Sequence, residues 1–373
     1  KTSIALHRIA YLLYTLKGNI SSKDILIISP NKVFGDYISN VLPELGEESV
    51  PETSMEQILS GVLENKYKYQ NFFEQITELL EKTSSDFIER IKYKSSFEFI
   101  SQLDKFILYM ENNYFKAAEV KLTRHITIPA EYIEEQFRRF NRYPMRQRSE
   151  AMANYILEMM KVQYYFTITT SEKNLLKKEI KKMFAGNNDL QIYKEFFVWV
   201  GKPELFKLRK NRMLEYADLA PLAYLHMALD GNIASSGVKH LLIDEMQDYS
   251  RLQYLILKMM FPCRMTILGD KAQTMEDEAQ DVLGFLPIIF GKEIRRIVMN
   301  KSYRNTVEIA SYANQLAGIT DMDLFDRHGQ PVEELFFKGK KQQAMEAALD
   351  ELVNKLQLGA EQFETAALIL RTE

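Results

Sequence analysis

Residues 241–245 read LLIDE, a short apolar run that ends in two acids. An uninterrupted apolar run of this length is typical of a strand that is buried on both faces of a parallel sheet. The carboxyl ends of such strands line the ligand crevice of an α/β sheet, so the pattern places Asp244 and Glu245 at its mouth. One carboxylate there can hold Mg²⁺ while the other activates a water for attack on a phosphate. Taken alone, the same pattern also fits a strand that simply enters a solvated loop.

Similar runs on both sides of this stretch extend the sheet. Residues 25–28 read ILII and residues 265–268 read MTIL, and each run predicts a buried strand. Strands that alternate with helices imply a parallel sheet with right-handed crossovers. The periodicity predicts helices at 3–16, 251–260, 306–316 and 340–356, and further strands at 294–299, 334–337 and 366–370.

Residues 51–212 have a different pattern. Apolar and aromatic residues recur at spacings of three and four between Lys, Glu and Gln, and glycine is scarce. This periodicity predicts a mostly helical insertion. Residues 126–129 and 165–169 are candidates for short strands within it.

Composition narrows the class of protein. The chain has 373 residues with 46% hydrophobic and 27% charged side chains, which is typical of a soluble protein with two domains or one large insertion. The single cysteine excludes an internal disulfide and a cysteine-based zinc site, which fits the cytoplasm. No apolar run approaches the roughly 20 residues that span a bilayer, so no membrane partner is expected. With a net charge of −3, any contact with nucleic acid must come from local patches.

Three segments in order carry a family resemblance. They are DEMQDY at 244–249, GDKAQ at 269–273 and NKSYRN at 300–305. These segments resemble motifs II, III and IV of the UvrD/Rep family of superfamily 1 helicases. Residues 1–2, KT at the start of a helix, resemble the end of a phosphate-binding loop, G-x-x-x-x-G-K-[ST], and residues 25–31 resemble motif Ia. The resemblance implies a P-loop NTPase of the RecA-like fold, a parallel α/β sheet flanked by helices, which binds ATP, Mg²⁺ and DNA.

The resemblance assigns the phosphate chemistry to four residues. Lys1 would contact the β- and γ-phosphates, and Thr2 would ligate Mg²⁺ together with Asp244. Glu245 would be the catalytic base that activates the attacking water.

The resemblance also assigns residues around the rest of the nucleotide. Gln247 and Gln273 would sense the γ-phosphate, and Asp270 between them would contribute to nucleotide binding. Tyr303 would stack on the adenine, and Arg304 would act as an arginine finger on the charge that develops during transfer.

The resemblance divides the chain into lobes. It predicts lobe 1A in residues 1–49 and 213–292, a helical, 1B-like insertion in residues 50–212, and the beginning of an incomplete lobe 2A in residues 293–373. The glycines of the phosphate-binding loop and motifs V and VI are expected beyond the two ends. Weak hydrolysis by these residues alone is therefore expected.

Within the family, the sequence is most similar to the HelD branch, whose ATPases bind bacterial RNA polymerase. The similarity lies in ILIISPNKVF at 25–34, VLPELGE at 41–47, YADLAPL at 216–222 and DRHG at 326–329. It implies RNA polymerase as a partner.

Two positions depart from the translocating helicases, in which aromatic side chains stack on the bases of a single strand. Ser29 and Glu278 occupy the corresponding positions here. A base–aromatic stack contributes about 1–3 kcal/mol, and an acid would repel a phosphate backbone. These departures disfavour processive strand separation.

Candidate nucleic-acid contacts are Asn31 of motif Ia and three arginines of the insertion, Arg142, Arg146 and Arg148. The arginines lie in a basic cluster that is interleaved with aromatic residues, which suits phosphate contacts with stacking. A solvated helix face fits this cluster equally well.

Three functions remain open at this point. The chain can be the ATPase motor of a HelD-type protein that remodels complexes of RNA polymerase with nucleic acid. It can be an ATP-dependent DNA-unwinding helicase of the UvrD/Rep type, or a non-catalytic binding module that is derived from one.

Overall fold

The computed structural model describes residues 2–30, 43, 48–81, 84–164, 168–186, 188–231, 234–270, 282–291, 294–299, 301–303, 305–320, 322–338 and 341–359. The chain divides into two units, Lys1–Ile294 and Arg295–Glu373, which we describe separately. The strands are β1 Ile25–Ile28, β2 Glu52–Thr53, β3 Val120–Lys121, β4 Thr127–Ile128, β5 His240–Ile243, β6 Arg264–Ile267, β7 Lys301–Ser302 and β8 Asp323–Leu324.

The described helices begin and end as follows. They are α1 Thr2–Thr15, α2 Met55–Val62, α3 Phe72–Leu80, α4 Ser85–Ser95, α5 Phe97–Asn113, α6 Ala130–Arg139, α7 Met145–Tyr164, α8 Thr170–Lys182, α9 Asp189–Val200, α10 Tyr216–Asp230, α11 Arg251–Met260, α12 Val282–Phe290, α13 Val307–Ala317 and α14 Lys341–Gly359. No described helix is long and apolar enough to cross a membrane.

The first unit is built on a four-stranded parallel sheet in the order β2-β1-β5-β6. All four residues of β5 are buried, and Leu241, Leu242 and Ile243 are the apolar run that predicts this strand. Ile28 pairs with Ile243, and Ile243 pairs with Ile267, so β1, β5 and β6 end at the same edge. The predicted fold class, a parallel α/β sheet flanked by helices, is confirmed.

The two faces of the sheet are covered by different helices. Ile25, Ile27 and Leu242 pack with α1 in one cluster of buried residues. Ile28, Leu241 and Ile243 belong to the main core, together with buried residues of α10 and α11. This division follows from the alternation of side chains along a strand.

The insertion is mostly helical, as predicted, but it does not form one separate body. Buried residues of α2, α5 and α9 belong to the main core. Residues 115–184, which we call the inserted subdomain, have a core of their own around Ile133, Phe137 and Ile156. A β-bridge between Phe115 and Phe184 joins the two ends of this segment.

In the second unit, β7 and β8 form a short parallel pair. The predicted strands at 294–299 and 334–337 are wrong, because neither segment forms a strand. Ile297, Val298 and Met299 are exposed, so within the described part of the chain this apolar run has no cover. The predicted strand at 366–370 lies outside the described residues.

Candidate functional site

Two acids follow β5 at the carboxyl edge of the sheet. Asp244 is only 2% exposed, and its backbone N–H donates to the carbonyl oxygen of Ile28 at 2.9 Å. Glu245 is half-buried. This edge is where an α/β sheet binds its ligands.

The chain turns sharply at Glu245. Its φ of 50° and ψ of 57° lie in the left-handed region, directly before a short 3-10 turn at Met246–Asp248. A non-glycine residue in this region costs on the order of 1 kcal/mol and persists only where other contacts hold it. Those contacts are present, because the N–H of Met246 donates to Leu268 O at 2.8 Å and the hydroxyl of Tyr254 donates to Met246 O at 2.9 Å.

Gln247 connects the two strand ends that carry the predicted motifs. Its Nε2 donates to Glu245 Oε2 at 2.7 Å, and its Oε1 accepts from the backbone N–H of Asp270 at 3.0 Å. Because Oε1 accepts the hydrogen bond from Asp270, the amide nitrogen of Gln247 faces Glu245. The loops after β5 and β6 therefore hold the Glu245 carboxylate in one orientation.

The close approach of these loops depends on Gly269. A Cβ added at this position would lie 2.1 Å from Met246 Cγ and 2.7 Å from the backbone nitrogen of Met246. Only glycine lets the loop after β6 lie this close to the turn after β5.

The donor set suits a hard divalent cation. Mg²⁺ is bound by one or two carboxylates and phosphate oxygens, and Asp244 presents a buried carboxylate at the ligand-binding edge. Thr2 is the first residue of α1, and its side chain is outside the description. The other predicted site residues that lie outside the described residues are Lys1, Asn31, Gln273 and Arg304.

A comparison with protein families shows the family of the chain that carries this sheet and its acidic edge. The chain matches the model of the UvrD/REP helicase N-terminal domain over residues 1–275. The chain belongs to the UvrD/Rep helicase family. It therefore carries the domain of a superfamily 1 helicase-like ATPase motor, of a family that uses ATP with Mg²⁺ and binds nucleic acid. No curated protein matches the chain. The family match does not separate the HelD branch from the other UvrD/Rep helicases.

In the second unit, the predicted adenine-stacking residue Tyr303 directly follows β7. Its side chain is 65% exposed, and its ring centroid lies 5.5 Å from that of Phe325. An exposed aromatic ring of this kind can accept a planar ligand.

Of the three predicted arginine contacts, only Arg142 is exposed. Arg146 forms ion pairs with Asp189, at 2.6 Å, and with Asp230. Arg148 is buried and donates to Glu111 at 2.6 Å. The interpretation of Arg146 and Arg148 as phosphate contacts is corrected, because their guanidinium groups neutralise carboxylates inside the protein.

Sequence reasoning missed the two ion clusters that hold helix α10. The N-terminal ion cluster consists of Arg90, Lys94, Glu215 and Asp218, all of them buried. Glu215 accepts from Arg90 Nη2 at 2.6 Å and from Lys94 Nζ at 2.9 Å, and Lys94 also pairs with Asp218 at 2.6 Å. Burial raises the pKa of Asp218. The partners lie more than 100 residues apart in sequence, so no local spacing could reveal them.

The C-terminal ion cluster consists of Arg146, Asp189, His226 and Asp230. His226 Nδ1 lies 2.8 Å from Asp189 Oδ2, and this hydrogen bond raises the pKa of the imidazole. Burial acts to raise the pKa of Asp189, but the hydrogen bond with His226 and the ion pair with Arg146 hold it below its usual value. The two carboxylates and the imidazole could together hold a metal ion. Arg146 already neutralises both carboxylates, so we assign no metal there.

We expect Gly269→Ala to lower kcat for ATP roughly 10- to 100-fold, because the methyl group would displace the loops that hold Glu245. Steady-state ATPase assays measure kcat, and thermal denaturation by circular dichroism checks that the variant is folded. Gly237→Ala is the matched control, because a Cβ at Gly237 meets no atom within 4 Å. Equal turnover by the two variants would contradict the proposed role of this close approach.

Proposed function

We propose that this chain is the ATP-hydrolysing part of a HelD-type motor that acts on complexes of RNA polymerase with nucleic acid. The catalytic part of this proposal rests on the acidic edge of the sheet. There Asp244 is buried and Glu245 is held in place by Gln247. Two carboxylates with separate roles suit phosphoryl transfer, because one holds a metal ion while the other orients the attacking water.

Asp244, with Thr2, would hold Mg²⁺. When bound, Mg²⁺ neutralises charge on the phosphate oxygens. Glu245 would accept the proton of the attacking water, and its hydrogen bond from Gln247 keeps its carboxylate in one orientation. The same hydrogen bond suits Gln247 to its predicted role as a sensor of the γ-phosphate. A contact of the Gln247 amide with the γ-phosphate would change its hydrogen bond to Glu245.

Four further residues take part in the proposal through the family resemblance. Lys1 and Arg304 would neutralise phosphate charge. Gln273 would contact the γ-phosphate, and Asp270, whose N–H is held by Gln247, would position the loop that leads to it.

The inserted subdomain supports a nucleic-acid partner. Residues 115–184 contain fourteen Lys and Arg against eight Asp and Glu, a net charge of +6, whereas the rest of the chain carries −9. Arg142, Lys178 and Lys181 are exposed, and none of them forms an ion pair with another described residue. Free cations on an otherwise acidic protein suit contacts with phosphates.

The choice of the HelD branch rests on the sequence similarity and on two features of the structure. Ser29, at the position where translocating helicases carry a stacking aromatic, is only 3% exposed. The inserted subdomain has its own core, so it can contact a partner without disturbing the sheet. The family match itself favours a second candidate, an ATP-dependent DNA-unwinding helicase.

Two titrations of the protein distinguish these candidates, one with RNA polymerase and one with single-stranded DNA at several salt concentrations. The HelD-type function predicts binding to RNA polymerase and little stimulation of ATP hydrolysis by DNA alone. Strong stimulation by DNA, with no measurable binding to the polymerase, would identify a DNA-unwinding helicase instead.

We expect the triple substitution of Arg142, Lys178 and Lys181 by Ala to weaken binding to single-stranded nucleic acid and to flatten its salt dependence. Each lost phosphate contact reduces the slope of log K against log salt by about 0.7, so three contacts reduce it by about 2. Fluorescence anisotropy with a labelled oligonucleotide measures this slope.

The control removes the same charge from outside the inserted subdomain, at Lys17, Lys23 and Lys207, which are exposed and form no ion pair with another described residue. We expect its slope to stay close to that of the wild type. If the two triple variants lose slope equally, the contact is not located in the inserted subdomain.

A further inference from the structure

Tyr254 of α11 is a buried tyrosine whose hydroxyl group contacts the turn that carries Glu245. The side chain is fully buried, and its hydroxyl donates to the backbone carbonyl oxygen of Met246 at 2.9 Å. Burial raises the pKa of this phenol well above its usual value, so the hydroxyl remains a hydrogen-bond donor at neutral pH. The residue next to Glu245 is therefore held by a side chain from another element of the fold.

The two backbone polar groups of Met246 are held by different elements. Its N–H donates to Leu268 O at 2.8 Å, directly after β6, and its carbonyl oxygen accepts from Tyr254. Because a peptide unit is planar, the first bond orients the peptide between Glu245 and Met246. The second orients the peptide between Met246 and Gln247. Tyr254 thus sets the start of Gln247, whose amide donates to Glu245 Oε2.

Packing fixes the ring of Tyr254. Its centroid lies 5.7 Å from that of Phe285 and 6.3 Å from that of Phe290, both on α12, and 6.2 Å from that of Tyr249. Aromatic contacts at these distances stabilise the arrangement of the rings. The hydroxyl therefore cannot follow the carbonyl group of Met246 if the turn moves.

The turn needs such a restraint, because the left-handed backbone of Glu245 is intrinsically unfavourable. Without the hydroxyl of Tyr254, the buried carbonyl oxygen of Met246 would lose a donor, and the turn would shift to recover one. A displacement of about 1 Å in a reacting group can cost about 10²-fold in rate. The position of the Glu245 carboxylate is thus sensitive to a single buried hydroxyl group.

We infer that Tyr254 is a positioning residue for ATP hydrolysis, which acts through Gln247 and Glu245 and does not contact the nucleotide. Its hydroxyl orients the peptide before Gln247, and the Gln247 amide then directs the Glu245 carboxylate toward the attacking water. This inference rests on the proposed function, because it takes Glu245 as the catalytic base.

Tyr254→Phe tests this role, because it removes the hydroxyl and keeps the packed ring. We expect kcat for ATP to fall about tenfold while KM changes less than about twofold, since a displaced base slows the chemical step and leaves the nucleotide contacts in place. Steady-state ATPase assays measure both constants, and equilibrium binding of a fluorescent ATP analogue should match that of the wild type.

Tyr193→Phe is the matched control for lost stability. Tyr193 is also fully buried in the first unit, and its hydroxyl donates to Asp218 Oδ1 at the same distance of 2.9 Å. This variant should lower the midpoint of urea denaturation by a similar amount and keep kcat within about twofold of the wild type. Equal kcat values for Tyr254→Phe and Tyr193→Phe would overturn the inference and leave Tyr254 with a structural role alone.

The same substitution in a Glu245→Gln protein shows whether Tyr254 acts through Glu245. We expect Tyr254→Phe to lower the residual kcat of this protein less than about twofold, because residues that act as a unit are not additive. A further tenfold loss would contradict the inference while leaving Glu245 as the base. A wild-type protein that hydrolyses no ATP, or a Glu245→Gln protein with the kcat of the wild type, would instead refute the proposed function.

Discussion

Replacement of Glu245 by Gln is expected to lower kcat for ATP about 10²–10⁴-fold, the usual contribution of a general base. The amide keeps the size of the carboxylate and still offers an oxygen to Gln247 Nε2, so the turn after β5 should remain intact. It has lost the basicity that takes a proton from water. Nucleotide binding should therefore stay close to that of the wild type.

The measurement combines single-turnover hydrolysis with equilibrium binding of a fluorescent ATP analogue. Glu89→Gln makes the same chemical change on the exposed face of α4 and should behave as the wild type. A Glu245→Gln protein whose kcat stays within about twofold of the wild type would exclude Glu245 as the base.

Replacement of Glu215 by Ala is expected to lower the free energy of unfolding by about 3–5 kcal/mol, because it leaves buried cations without their partner. Arg90 and Lys94 both donate to this carboxylate, and neither side chain can reach bulk water without a rearrangement of α4. Asp218 still pairs with Lys94, so Arg90 carries most of the loss.

Urea denaturation measures this change. Glu179→Ala provides the comparison, because it breaks the exposed i,i+3 pair with Lys182 and should cost no more than about 1 kcal/mol. Equal midpoints for the two variants would mean that the N-terminal ion cluster does not stabilise the fold.

The sequence predicted the elements whose signals are local. β5 contains the apolar run Leu241–Ile243 that predicts it, and the strand ends directly before Asp244. The helix Arg251–Met260 also matches, since Ser250 and Gln253 form a capping box at its start. The prediction of a strand at 294–299 was wrong, because an apolar run forms a strand only where another strand and a covering layer are present.

The location of the two acids at the sheet edge was predicted, but their local geometry was not. Asp244 and Glu245 could be placed because their location follows directly from the strand before them. The left-handed backbone of Glu245 has no signal in the sequence, because that conformation is typical of Gly and Asn. The ion pairs of Arg146 depend on Asp189 and Asp230, which only tertiary packing brings near. A cluster of arginines indicates charge, and its partners decide whether that charge is available to a ligand.

The opposite charges of the inserted subdomain and the rest of the chain have a kinetic consequence. Within the first unit, this separation of charge gives an electric dipole, and the field of a polyanion exerts a torque on it before any contact is made. Collisions would then begin with the inserted subdomain turned toward the phosphates, which raises the association rate constant and makes it fall as ionic strength rises. Long-range electrostatic forces would thus set the orientation in which the protein meets the nucleic acid, and short-range contacts would then maintain that orientation.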